Sequence, residues 1–71
     1  MRPETLVKIM DRQELLQKDV GFLTGVTERQ VRHWVSGKSR IPRSAGLLLK
    51  AVDNNLVNIN WILTEITKQP E

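Results

Sequence analysis

The chain has 71 residues, a net charge of +3, 27% charged and 39% hydrophobic side chains; that makes one domain, near the lower size limit for a single core. With no cysteine and one histidine it excludes disulfides, thiolate zinc sites and a histidine-based metal site. The charged start shows no secretory leader, and no apolar run nears the roughly 20 residues of a membrane helix, so the expectation is a small soluble cytoplasmic domain without cofactor or membrane partner. Pro3 suits the first turn of a helix, where its missing N–H costs nothing. Leu6, Ile9 and Met10 recur at helical spacing, predicting a first helix from about Glu4 to Gln13. Leu15 and Leu16 lead into a second, about Gln17 to Thr24, with Val20 and Leu23 inward. Gly25 fits its C-terminus, since glycine tolerates the left-handed conformation that closes a helix.

Thr27-Glu28-Arg29-Gln30 reads as a capping box, in which the Thr27 hydroxyl accepts the Gln30 N–H and the Gln30 side chain reaches back. A third helix then runs to about Ser36, with Val31, Trp34 and Val35 inward and Gly37 ending it. Pro42 opens a fourth to about Val52, carrying Ala45, Leu48, Leu49 and Val52 on one face. Asp53-Asn54-Asn55 is a turn signal. A fifth helix, roughly Asn60 to Thr67, shows Trp61, Ile62 and Ile66, capped by Asn58 or Asn60. No alternating run suggests a strand, and no repeat or low-complexity tract is present. The expected fold is all-α: one five-helix domain, residues 1–67, and a loose tail, residues 68–71.

Charge is unevenly placed along this pattern. From Arg29 to Arg43 there are five basic residues and no acidic one, while the other 56 residues hold six basic and eight acidic side chains. The segment lies on the third helix and the loop after it. The second helix, a short glycine turn and the third helix meet the steric needs of a helix-turn-helix. Gly21 permits a close helix crossing, Gly25 makes the turn, Val26 plugs the space beneath, and Val31 and Trp34 pack inward. The outward face is Glu28, Arg29, Arg32 and His33, and the loop adds Lys38, Ser39 and Arg40. Such a surface would neutralise phosphates while the helix reads base edges of double-stranded DNA.

With these residues in place the chain resembles the compact DNA-binding domains of lambdoid phage repressors and Cro proteins, and related XRE-type transcriptional regulators. The likeness runs from about Met1 to Ala51 through "LLQKDVGFLTGVTERQVRHWVSGKSRIPRSAGLLLKA" and resumes at "NINWILTEI". It rests on Gln17 opening the second helix, Gly21, Gly25-Val26, Trp34, Gly37-Lys38 and the Ile41-Pro42 entry to the fourth helix. The resemblance implies a lambda-repressor-like five-helix domain, a homodimer and a palindromic operator; it also implies a DNA-backbone contact for Gln17. Three features depart from the family. Phe22 stands where an exposed polar residue is usual, Gln13 replaces an apolar residue, and the connection from Ala51 to Trp61 is long.

Several candidates have two readings. Thr27 is a helix cap that can also touch a phosphate or thymine methyl, and Gln30 suits a capping partner better than a base reader. Arg29 and Arg32 form a solvated face or reach bases, guanine being the natural target of a bidentate arginine. Glu28 either accepts from a cytosine amino group or favours the helix N-terminus through the dipole. His33 is expected at an exposed position beside DNA, with no catalytic role. Lys38, Ser39 and Arg40 are a polar loop or phosphate contacts, and Arg43 reaches a phosphate or groove edge. Trp34 and Trp61 are core or interface residues.

Catalysis is not expected. No nucleophile–histidine–carboxylate set can be built on His33, and "VSGKS" lacks the upstream glycine and preceding strand of a phosphate-binding loop. The alternative function is a protein-interaction module, such as an antitoxin or a cofactor of another regulator, which Phe22 and the apolar last helix would favour. The residues after Thr67 are too few for a ligand-binding or oligomerising domain. Regulation by concentration, operator competition or a partner is therefore expected, with repression as the default and no small-molecule effector site. A dimer contact is expected through Leu56, Val57, Ile59, Trp61, Ile62 and Ile66, which offer more apolar surface than so small a core needs.

Overall fold

Five α-helices succeed one another: α1 (Pro3–Gln13), α2 (Gln17–Thr24), α3 (Glu28–Ser36), α4 (Arg43–Asp53) and α5 (Ile59–Thr67). The structure, a computed structural model, describes residues 1–68, and no strand occurs among them. Of the expected tail only Lys68 is described, as the C-cap of α5; the remainder lies outside the described residues.

Local chemistry explains each boundary. Pro3 opens α1 with Glu4 in its first turn, and the helix ends at Glu14, whose left-handed φ of 56° turns the chain toward α2. Gly25 (φ 79°) and Gly37 (φ 82°) close α2 and α3 in the conformation glycine adopts at least cost. At α3 the Thr27 hydroxyl accepts the Gln30 N–H at 3.1 Å, but the return bond from the Gln30 side chain is not made, so only half of the expected capping box forms. The reaching-back half occurs instead at α2, where the Asp19 carboxylate accepts the Leu16 N–H at 2.9 Å. Pro42 precedes α4 as its N-cap instead of opening it, and Asp53, expected in the turn, is its last residue. Asn58, not Asn60, caps α5 by accepting the Trp61 N–H at 3.1 Å, so that helix begins at Ile59.

α2 packs against α3, α1 packs against both α3 and α4, and α5 reaches α2. Between them Leu6, Ile9, Val20, Val31, Trp34 and Leu49 are fully enclosed, with Leu15, Leu23, Ile41 and Ala45 in the same cluster. A radius of gyration of 11.6 Å fits a packed chain of this length. Trp34 fills the centre at 1% exposure; its indole N–H is buried without a hydrogen-bond partner among the described residues. An orphaned donor costs roughly 1–3 kcal/mol, which the apolar area of a buried tryptophan offsets. Trp61 does not join the core: it is 61% exposed.

Two contacts lock the arrangement. A Cβ built on Gly21 would lie 2.8 Å from the Val26 carbonyl oxygen and 3.5 Å from the Glu28 nitrogen. The constraint is therefore α2 against the turn backbone, where a crossing of two helices was expected. On the other side Arg12 of α1 grips Asp53 of α4 through Nε (3.0 Å) and an Nη (2.7 Å), while Gln13 donates to the same carboxylate at 3.4 Å. The Arg12 hydrogen bonds are the main cause holding the Asp53 carboxyl below its usual range; partial burial opposes them and the Gln13 bond and Arg12 charge assist. The same bond, with the Asp53 charge, raises Arg12.

Substitution and pH test these contacts. Gly21→Val must displace turn backbone and should cost roughly 1–3 kcal/mol. Gly25→Ala meets open space and suffers only the positive φ, at about 1–2 kcal/mol, the difference being read by urea unfolding. Because the folded Asp53 carboxyl is more acidic than the unfolded one, its stabilisation is complete above the unfolded value of about 4 and fades as pH falls below it. Melting temperature against pH should show that acid loss in the parent and a smaller one in Asp53→Asn.

Candidate functional site

The outer face of α3 is fixed by what its inner face buries. At 3.6 residues per turn, Val31 and Trp34 point into the core, which leaves Arg29, Arg32, His33 and Ser36 on the opposite side. Arg29 and Arg32 are exposed and His33 is half-buried; Glu28 is exposed in the first turn, where a carboxylate favours the helix dipole. All four candidates for base readout therefore lie on one helix, within two turns.

The loop after α3 folds back onto the end of the helix. The His33 carbonyl accepts from the Lys38 N–H (2.9 Å), the Ser39 N–H (3.2 Å) and the Ser36 hydroxyl (3.1 Å). The Ser36 oxygen in turn accepts the Lys38 N–H at 3.4 Å, and the Gly37 N–H reaches the Trp34 carbonyl at 3.2 Å. One backbone oxygen thus pins three residues, holding Lys38 next to the outer face of α3. Lys38 and Arg40 are exposed and Ser39 is half-buried. Arg43 begins α4 on the surface, Thr27 is exposed at the start of α3, and Gln17 is half-buried at the start of α2.

The charge here is unopposed. Among the described residues the salt bridges are Arg12–Asp53 and Lys68–Glu65, so Arg29, Arg32, Lys38, Arg40 and Arg43 have no carboxylate within 4.0 Å. The described residues contain no group of three metal-ligating side chains, and no helix is long and apolar enough to cross a membrane. What the arrangement offers is hydrogen-bond donors and positive charge on an exposed helix face and the loop bonded to its end, chemistry suited to a polyanion.

The residues expected at a dimer contact divide. Ile59 and Ile62 lean on the core with Leu63, and Val57 and Ile66 are half-buried; Leu56 (78%) and Trp61 face outward. Phe22 is exposed at 56%, in a shallow depression with Lys18, Val26 and Glu28. Sequence reading missed Ser36, although a hydroxyl just before a helix-ending glycine is the available signal. It also missed an apolar groove along α1. Compared with known protein families, curated proteins and solved structures, the chain matches none.

The pinned loop carries its own prediction. Ser36→Ala removes one hydroxyl from the His33 carbonyl and from the Lys38 N–H. Amide exchange at Lys38 and Ser39 should speed up in this variant while exchange at Val31 and Trp34 stays at the global unfolding limit.

Proposed function

We propose that the chain is a sequence-specific double-stranded-DNA-binding regulator, a Cro-like repressor in the cytoplasm, and not an enzyme. In this reading α2 and α3 form a helix-turn-helix of lambda-repressor-like arrangement and α3 enters the major groove. The observation that carries it is five exposed cations on α3, the loop after it and the start of α4, none with a carboxylate within 4.0 Å among the described residues. Arg29 and Arg32 are the base readers, each able to hold guanine O6 and N7 in bidentate fashion, with Glu28 and His33 beside them. Gln17, Thr27, Lys38, Ser39, Arg40 and Arg43 hold phosphates and fix the register.

One short helix reads only a few base pairs, too few to select a site against a genome. Two copies related by a two-fold axis read half-sites one helical turn, about 34 Å, apart. The exposed Leu56 and Trp61 support a homodimer through the α5 side, which leaves α3 free for DNA. Occupying a promoter blocks polymerase, so repression is the resulting mode.

Binding should be steeply salt-dependent. With four to six phosphates neutralised per subunit, the dimer's log–log salt slope should be about −7 to −11, and a slope near zero removes the reading. Lys38→Ala and Arg40→Ala should weaken all sequences alike. Arg29→Ala and Arg32→Ala should each relax preference at one operator position at roughly 1–3 kcal/mol. Sites selected from random duplexes by these variants are the measurement, and unchanged sites would exclude α3 as the reader. Joint Leu56→Ser and Trp61→Ser substitution alters exposed side chains, so folding should persist. Sedimentation should then show monomer, and binding to two half-sites should lose its cooperativity.

A further inference from the structure

An apolar groove runs along the outer side of α1. Two adjoining depressions form it, of about 570 and 630 Å³, sharing Val7, Lys8 and Val35. Its walls are α1 on one side and the start of α2 with the end of α3 on the other, through Met10, Leu16 and Val35. Val7 is 45% exposed and Leu16 60%, so two large hydrophobic side chains stand in water where the fold gives them no cover. Neither belongs to the proposed DNA-contacting set.

We infer that this groove is a docking site for an amphipathic helix of another protein, one whose flanks are basic. Shape and charge both point there. The groove runs along α1 from Glu4 to Glu14, a length of about 15 Å, which accommodates roughly three turns of a partner helix with apolar anchors at i, i+3 or i+4, and i+7. An extended peptide gains nothing comparable, because the described residues contain no strand edge to pair with. The rim carries Glu4, Asp11 and Glu14, all exposed and none ion-paired among the described residues, against the single ammonium of Lys8. Arg12, the other cation of α1, is bound to Asp53. The residues lining the groove thus hold three carboxylates against one ammonium on a chain whose overall charge is +3, so a basic flank is attracted at the groove itself while the molecule as a whole repels it. Gln17 lines the same groove, at its border with the proposed DNA face.

The test uses two designed 15-residue helical peptides with identical leucine stripes, one flanked by lysines and one by glutamates. Each is titrated into the isotopically labelled chain at low salt and monitored by amide shifts. The lysine peptide should shift Val7, Met10, Leu16 and Val35 and bind there about ten-fold more tightly than the glutamate peptide, opposite to the order set by net charge. Val7→Ser with Leu16→Ser, both at exposed positions, should abolish those shifts while the thermal transition persists. Glu4→Gln with Asp11→Asn and Glu14→Gln should erase the preference between peptides. Absence of shifts at this groove, equal binding of the two peptides there, or shifts centred on Leu56 and Trp61 would overturn the inference. Salt-dependent binding to duplex DNA, measured separately on the Val7→Ser, Leu16→Ser chain, distinguishes failure here from failure of the DNA reading.

Discussion

The approach of Gly21 to the Val26 carbonyl decides how the outer face of α3 is presented. A methyl group on residue 21 would stand 2.8 Å from that oxygen, so the turn can close only over a bare α-carbon. With the turn closed, Thr27 sits where its hydroxyl starts α3, and Val31 and Trp34 fall into the space between α2 and α1. Loosening that contact would rotate or lift α3, and every side chain on its solvent face would move with it. The orientation of Arg29 and Arg32 is thus set by a position bearing no side chain, in the helix before their own.

Electrostatics is sorted by the same scaffold. Among the described residues the cations of α3 and its loop have no carboxylate partner, whereas Arg12 is held by Asp53 in a bond joining α1 to α4. Three carboxylates with no ion-pair partner among the described residues, Glu4, Asp11 and Glu14, lie along α1 and at its C-cap. Charge is therefore unevenly placed, with the cations of α3 and its loop on one part of the surface and three carboxylates against Lys8 along the α1 groove.

Much of this was legible in the sequence where the cause is local. The bounds of α2 and α3 come from Gly25, Thr27 and Gly37, residues whose own backbone preferences end or start a helix. The start of α5 was less legible because Asn58 and Asn60 offer equivalent caps, and only packing chooses between them. The Asp19 bond to Leu16 was hidden because a leucine at the N-cap gives no side-chain signal. Arg12 and Asp53 stand 41 positions apart, and nothing in either neighbourhood announces the pair. Trp61, Val7 and Leu16 have the spacing and character of core residues, yet a chain of 71 residues has too little interior to cover them all. Periodicity says which face a residue is on, not whether another element arrives to bury that face.

The two tryptophans mark different depths of the same molecule. Trp34 is enclosed, and its indole proton can exchange with solvent only when the helices around it separate. Trp61 is exposed on α5, where none of the residues is fully buried, so in the single chain its indole reports on the α5 surface and on anything that comes to cover it. Tracking the two indole protons side by side would thus separate opening of the whole domain from events at the α5 surface. The enclosed indole at the centre is thus an internal clock for the rate at which the fold lets water in.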